Sequence, residues 1–147
     1  MKSILILAFI LALTSCQQKE TEQPLGENSF VISNTWMRPG SANRNTAAFM
    51  TITNNMDMDD TLYAVSTDLA KVAQIHETYK KENDMMGMRH VDFIVIPSKS
   101  NVELKPGSFH VMLIGLNKDL SLDQQAKIKL LFKLKGEIEV PIKVSNP

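Results

Sequence analysis

Cysteine is almost missing from this chain of 147 residues, which has a single one, Cys16. One thiol cannot form an intramolecular disulfide, and its position leaves the rest of the chain without a thiolate ligand. A cysteine-based metal site is therefore excluded. A blue-copper electron-transfer centre is disfavoured for the same reason, since it needs a cysteine thiolate beside two histidines. A folded domain in this chain must draw its stability from its core.

An excess of one charge and long apolar runs are also lacking. The 16 basic and 16 acidic residues balance, whereas nucleic-acid binding needs a concentrated basic face. The longest apolar run, Ile4 to Leu13, is too short for a permanent membrane span. The sequence shows no glycine-rich phosphate loop, no HExxH motif and no recognisable Ser-His-Asp pattern. We therefore expect neither a nucleic-acid-binding protein nor an enzyme.

The first residues resemble a bacterial lipoprotein signal. Lys2 precedes the apolar run, and Leu13-Thr14-Ser15-Cys16 resembles the lipobox, with small residues just before a cysteine. This pattern predicts a signal peptide over residues 1–15 and lipid attachment at Cys16, which leaves the mature protein without a thiol. An ordinary cleaved signal peptide is the alternative.

The rest of the chain divides into a tether and one domain. Residues 16–28 are polar and include Pro24 and Gly26, so they lack the apolar side chains needed to fold and predict a flexible tether. Residues 29–147 have the length of a single domain with its own core. We expect this domain at the cell envelope, as a monomeric, periplasm-facing lipoprotein held to the inner or the outer membrane by its lipid anchor.

Short β-strands separated by turn residues dominate the domain, because apolar stretches are interrupted by Asn, Gly or Pro about every ten residues. The expected strands are Phe30–Trp36, Ala47–Thr53, Thr61–Ser66, Val72–His76, Phe93–Ile96, Val102–Leu104, Phe109–Ile114, Ala126–Leu134 and Glu137–Val144. Lys135-Gly136 predicts a hairpin between the last two, and Asn117–Gln125 holds at most a turn or two of helix. The pattern predicts an all-β, antiparallel Greek-key β-sandwich of the cupredoxin-like or immunoglobulin-like type.

Histidines and methionines form the main chemical pattern. His76 ends an expected strand, Met85-Met86-Gly87-Met88 follows a polar loop, and His110 stands two residues before Met112 on another strand. A period of two places His110 and Met112 on the same face of that strand. Imidazole and thioether donors without a thiolate suit Cu(I), whereas Mg²⁺, Ca²⁺ and Mn²⁺ prefer oxygen ligands. The alternative is that the methionines fill the core and His110 is an ordinary surface histidine.

Several segments resemble the periplasmic copper chaperones of the PCu(A)C family, whose pattern is a histidine, a later methionine and a more distant His-x-Met element. In this chain eleven residues separate His76 from Met88, and 21 separate Met88 from His110. The resemblance covers about residues 30 to 144. Its matching segments are Trp36-Met37-Arg38-Pro39, Ala48-Phe49-Met50-Thr51-Ile52-Thr53-Asn54, His76-Glu77, Val102-Glu103-Leu104-Lys105-Pro106-Gly107 and Phe109-His110-Val111-Met112-Leu113-Ile114-Gly115-Leu116.

The resemblance implies a cupredoxin-like β-sandwich and a defined ligand set. The residues that it assigns to Cu(I) are His76, Met88, His110 and Met112. The spacer between His76 and Met88 is one residue longer than is usual in the family, which leaves Met86 as an alternative or additional ligand. Members often have proline where this chain has His90. His90 is therefore either an accessory ligand, suited to Cu(II), or a surface residue.

The function implied by the resemblance is that of a metallochaperone that delivers copper by ligand exchange. Its expected target is the dinuclear Cu(A) centre of cytochrome c oxidase, and its expected acceptor is an oxidase subunit or a Sco-type protein. A copper storage or tolerance lipoprotein is an alternative, and so is an immunoglobulin-like binding module without metal transfer.

Four further residues have structural explanations at this stage. Trp36 is expected to be buried in the sandwich, with Arg38 capping an edge. Met56 and Met58 are expected to fill the core or to lie in a loop without a metal role.

Overall fold

The computed structural model describes residues 29–146, which form ten β-strands. The strands are β1 (Phe30–Met37), β2 (Thr46–Asn54), β3 (Asp60–Ser66), β4 (Ala70–Lys80), β5 (Met86–His90), β6 (Ile94–Ile96), β7 (Ser100–Leu104), β8 (Phe109–Leu116), β9 (Gln125–Phe132) and β10 (Gly136–Val144). These described residues contain no helix, and hence no helix long and apolar enough to cross a membrane. The predicted signal peptide, the lipidation at Cys16 and the tether lie outside the described residues.

The strands join in the order β5-β4-β8-β2-β1-β10-β9-β3-β6, and β7 also pairs with β2. One edge of β2 carries β8 over its first residues and β7 over its last ones, while β1 pairs with the other edge. Paired strands run antiparallel except β1 and β10, which are parallel where Trp36 lies opposite Lys143. The purely antiparallel arrangement expected from the sequence is corrected at this pair.

One hydrophobic core lies between the two halves of this strand order. β8 contributes Val111 and Leu113, while β9 and β10 contribute Ile128, Leu130 and Ile142, each of which is at most 1% exposed. Burying an aliphatic side chain of this size contributes roughly 1.5 to 3 kcal/mol. The prediction of an all-β sandwich that relies on its core is confirmed.

The structure differs from the sequence prediction around the methionine cluster. β4 continues to Lys80 through residues expected to form a loop, and β5 was not predicted as a strand. In the turn between them Asp84 has φ 60°, a conformation that Asp adopts more readily than most residues. β5 lies at the edge of the sheet and most of its residues are exposed, so apolar alternation gave no signal for it.

The C-terminal part of the domain follows the prediction more closely. β9 and β10 form the expected hairpin, and the buried Asp60 carboxylate accepts hydrogen bonds from the N–H groups of Leu134 and Lys135 at 2.9 and 2.8 Å in its turn. Residues 117–125 contain turns and no helix.

Candidate metal centre

Three neighbouring strands bring the histidines into one row. His76 on β4 lies directly opposite His90 on β5 and His110 on β8. The centre of the His76 ring is 6.1 Å from that of His90 and 5.8 Å from that of His110. Side chains in register on adjacent strands share a face of the sheet. The three imidazoles therefore occupy the outer face, on the side away from Val111 and Leu113.

The register also ranks the methionines by their distance from this row. Met88 lies opposite Thr78 and Met112 lies opposite Gln74, so each is two residues away from the histidine row. At about 3.3 Å per residue, this is roughly 6.6 Å along the strand, whereas Met86 is about twice as far. Met86 and Met88 are 59% and 60% exposed, so neither fills the core.

A cleft of about 310 Å³ gathers three of the predicted donors. Its wall includes Met88, His110 and Met112. His76, Met86 and His90 are absent from the wall, although the His76 ring is next to that of His110. The structure therefore places Met88, His110 and Met112 on one wall, with His76 next to His110, and leaves Met86 and His90 outside the wall.

The hydrogen bonding of His110 defines which of its nitrogens is available. The residue is 3% exposed, and its Nδ1 is 3.0 Å from the carbonyl oxygen of Ser108. Because a carbonyl oxygen can only accept, Nδ1 carries the proton and donates it. In the neutral ring, Nε2 then keeps its lone pair. A backbone carbonyl on the second nitrogen is a common way of orienting a metal-binding histidine.

His76 has a buried nitrogen without a partner. Its Nε2 lies 3.0 Å from the amide oxygen of Gln74, and with that oxygen as acceptor Nε2 carries the proton. Nδ1 is buried and makes no hydrogen bond. Burial, followed by the nearby rings of His110 and His90, lowers the pKa of His76 and favours the neutral form that binds metals. A lone pair buried without a donor is an observation that a bound cation would explain.

Side-chain contacts on the face of the β4–β5 hairpin opposite to the methionines fix the register between these two strands. Tyr79 faces Gly87 across the strands, and a Cβ built on Gly87 would come within 2.9 Å of the Tyr79 ring. The Arg89 guanidinium lies 5.2 Å from the centre of the same ring and donates to the Glu77 carboxylate at 2.7 Å. These contacts stabilise the pairing that places Met88 beside the histidines.

Within residues 29–146, no group of three or more His, Cys, Asp or Glu side chains is placed to hold a metal ion. The donors on the cleft wall are one imidazole and two thioethers, with the imidazole of His76 next to that of His110, and such donors match a soft monovalent ion such as Cu(I).

Sequence reasoning assigned no functional role to Arg38 and Phe49, which belong to the cleft wall. Trp36 is half-buried and not fully buried as predicted: it lies opposite Phe49 in the sheet and packs against its ring at 4.4 Å between ring centres, outside the core cluster. The Arg38 guanidinium lies 5.5 Å from the centre of the Phe49 ring and caps this ring, not a strand edge. Phe49 alternates with core residues along β2, so the sequence pattern indicates that its side chain points away from the core. The pattern does not indicate that Phe49 is nevertheless buried.

The class of protein defined by these features is a β-sandwich whose outer face combines imidazole and thioether donors in a cleft. A family model described as "Putative lipoprotein LpqE-like" matches residues 30–144, and the chain belongs to this family. A protein of Leifsonia xyli subsp. xyli described as "Putative lipoprotein Lxx21020" is 26% identical to this chain over 149 residues. The match covers 97% of this chain and 89% of that protein.

Two solved structures resemble the whole domain. The apo PCuAC domain from PmoF1 has a TM-score of 0.69 at 24% identity and covers 85% of this chain and 98% of its own. The solution structure of CuI-DR1885 from Deinococcus radiodurans has a TM-score of 0.60 at 29% identity, with coverage of 88% and 85%. Together with the family match, these similarities confirm the predicted relationship to PCu(A)C proteins and the predicted fold.

Proposed function

We propose that this protein is an extracytoplasmic copper chaperone that binds Cu(I) through His76, Met88, His110 and Met112. The observation that carries the proposal is the cleft lined by Met88, His110 and Met112, together with the neighbouring His76 ring, whose buried Nδ1 has no hydrogen-bond partner. The relative from Deinococcus radiodurans, described as CuI-DR1885, supports Cu(I) as the bound ion.

The proposed mechanism is ligand exchange, without a catalysed reaction. His110 is 3% exposed, whereas Met88 is 60% exposed. An incoming thiolate or imidazole therefore reaches the metal most easily on the Met88 side, while the buried His110 retains it. Thioethers are neutral soft donors, so a partner with a thiolate can displace one of them.

The cellular setting is also part of the proposal. The lipoprotein descriptions of the family and of the Leifsonia relative support lipid attachment at Cys16, with residues 1–15 as signal peptide and residues 16–28 as tether. The domain then faces the periplasm from a membrane anchor. The proposed recipient is the Cu(A) centre of cytochrome c oxidase, reached directly or through a Sco-type protein.

His90 has a different place in the proposal. It pairs in register with His76 but lies outside the cleft wall, and its side chain is 49% exposed. We assign it as an accessory imidazole for Cu(II), which favours nitrogen donors more strongly than Cu(I) does. Met86 is not assigned as a ligand.

Competition against a chromogenic Cu(I) chelator tests the site. The parent protein should hold one Cu(I), and His110→Ala should weaken binding by at least about 100-fold, because even loss of an outer hydrogen-bonding partner costs 10- to 100-fold. Met58→Ala is the control, since Met58 is as exposed as Met88 but lies outside the cleft wall. Equal affinity of the parent and His110→Ala would refute the proposed ligand set.

A further inference from the structure

The cleft contains a cation that the proposed copper site does not use. Arg38 lies on the cleft wall with Met88, His110 and Met112. In the part of the chain that the structure describes, it is the one Lys, Arg, Asp or Glu residue of that wall. The wall thus combines neutral metal donors with a single permanent positive charge.

Two other cations near the cleft, Arg89 and Lys105, are neutralised by ion pairs within the protein. Arg89 pairs with Glu77 at 2.7 Å, and Lys105 pairs with Glu103 at 2.6 Å. Arg38 is exposed and forms no ion pair with any residue between 29 and 146. As far as residues 29–146 are concerned, its guanidinium is left free to bind an anion.

Aromatic stacking holds this guanidinium close to the metal donors. It lies 5.5 Å from the centre of the Phe49 ring, whose other ring neighbours are Trp36 at 4.4 Å and His110 at 6.3 Å. A cation over an aromatic face is attracted by the ring, so Arg38 loses less freedom on binding than an unsupported side chain. The planar fork of its N–H donors matches a carboxylate in two-point contact.

We propose that Arg38 is a docking residue, which binds a surface carboxylate of an acidic partner protein that exchanges copper with this cleft. The inference rests on the proposed Cu(I) function. A lipid surface fits less well, because polybasic membrane contacts use clusters of about four to eight Lys or Arg, whereas this concave wall has one. A carboxylate carried beside the partner's own copper ligands would meet Arg38 as the metal passes between them.

Transfer kinetics test the proposal with small acceptors of different charge. Cu(I)-loaded protein is mixed with bicinchoninate, which carries carboxylates, or with neocuproine, which is uncharged. Arg38→Gln should slow transfer to bicinchoninate by about threefold or more at low salt, because a rim charge acts mainly on association rates. Transfer to neocuproine should not slow, and the difference should vanish near 1 M salt, where the screening length is about 3 Å.

Arg44→Gln is the matched control. Arg44 is an exposed arginine of the neighbouring loop and does not line the cleft, so its substitution removes the same charge away from the site. Equal slowing by both variants, equal slowing with both chelators, or no slowing at all would overturn the docking role of Arg38. A Cu(I) titration of each variant should give the affinity of the parent, which separates docking from metal binding.

A measurement without copper keeps the inference distinct from the proposed function. Trp36 is the one tryptophan of the chain, and it packs against the ring of Phe49, which Arg38 also contacts. Tetraglutamate added to the copper-free protein should change Trp36 fluorescence saturably, and Arg38→Gln but not Arg44→Gln should remove the change. Should the protein bind no Cu(I), this titration decides: a response unaffected by Arg38→Gln, or no response, refutes carboxylate docking. If Arg38→Gln also abolished binding to phosphatidylglycerol vesicles, to the same extent as binding to tetraglutamate, a membrane role would be favoured and carboxylate docking contradicted.

Discussion

The two faces of strand β8 carry different chemistry although they are built from adjacent residues. Towards the interior, Val111 and Leu113 are fully buried among aliphatic side chains. On the opposite face, His110 and Met112 line the cleft. Because successive side chains of a strand point to opposite faces, one strand serves the core and the candidate metal site at once.

This difference teaches that stability and metal binding are separable in this fold. Outer-face donors rest on a sheet whose position is set by the core, so their substitution leaves the inner packing intact. Inner-face substitutions change packing energy without removing a donor. Four substitutions test this separation, in descending order of expected effect.

The largest effect is expected for Leu113→Ala on the inner face. Removing a fully buried leucine side chain should lower the free energy of unfolding by about 2 to 5 kcal/mol. The Cu(I) affinity of the folded fraction should not change. Urea denaturation and chelator competition measure the two quantities. Ile114→Ala is the control on the half-buried outer face and should cost less stability; a large loss of Cu(I) affinity in Leu113→Ala would contradict the separation.

The second effect concerns the methionines of the outer face. Met88→Leu keeps the size of the side chain but removes its sulfur, and should weaken Cu(I) binding by about tenfold or more. Met86→Leu should have no effect, since Met86 is equally exposed but lies two residues further along β5 from the histidine row. Chelator competition compares the two variants. A larger loss in Met86→Leu would reverse their assignment.

A smaller effect is expected for the group that orients His76. Gln74→Leu removes the acceptor for Nε2 and should weaken Cu(I) binding by about tenfold, as other outer hydrogen-bonding partners do. Nitrogen NMR of the imidazole should show a change in tautomer. Gln125→Leu, at an exposed position of β9, serves as control. Tighter binding in Gln74→Leu would mean that Nε2 is the donor atom and that Gln74 blocks it.

The smallest effect is expected at the ion pair on the back of the hairpin. Glu77→Gln weakens the contact with Arg89 and should cost at most about 1 kcal/mol of stability, as exposed ion pairs do. Glu137→Gln removes a comparable pair with Lys129 on β9 and β10. Urea denaturation at low and high salt should give similar small losses for both variants. A loss of Cu(I) affinity confined to Glu77→Gln would show that this pair sets the position of Met88.

The sequence alone determined the features that depend on local order. Alternation predicted most of the strands and placed His110 and Met112 on one face, and the lack of a cysteine beyond Cys16 removed thiolates from the possible donors. It did not reveal β5, because an exposed edge strand has no buried face to produce a pattern.

Only the tertiary structure decided which of these donors meet. Met86 and Met88 look alike in sequence, and the pairing of β4 with β5 is what brings Met88 to the cleft. The pairing of β4 with β8 sets His76 beside His110, and stacking on Phe49 brings Arg38 to the same wall. The physical reason is that register depends on turn geometry and on contacts between distant residues, and a shift of one residue would turn each of these side chains to the other face.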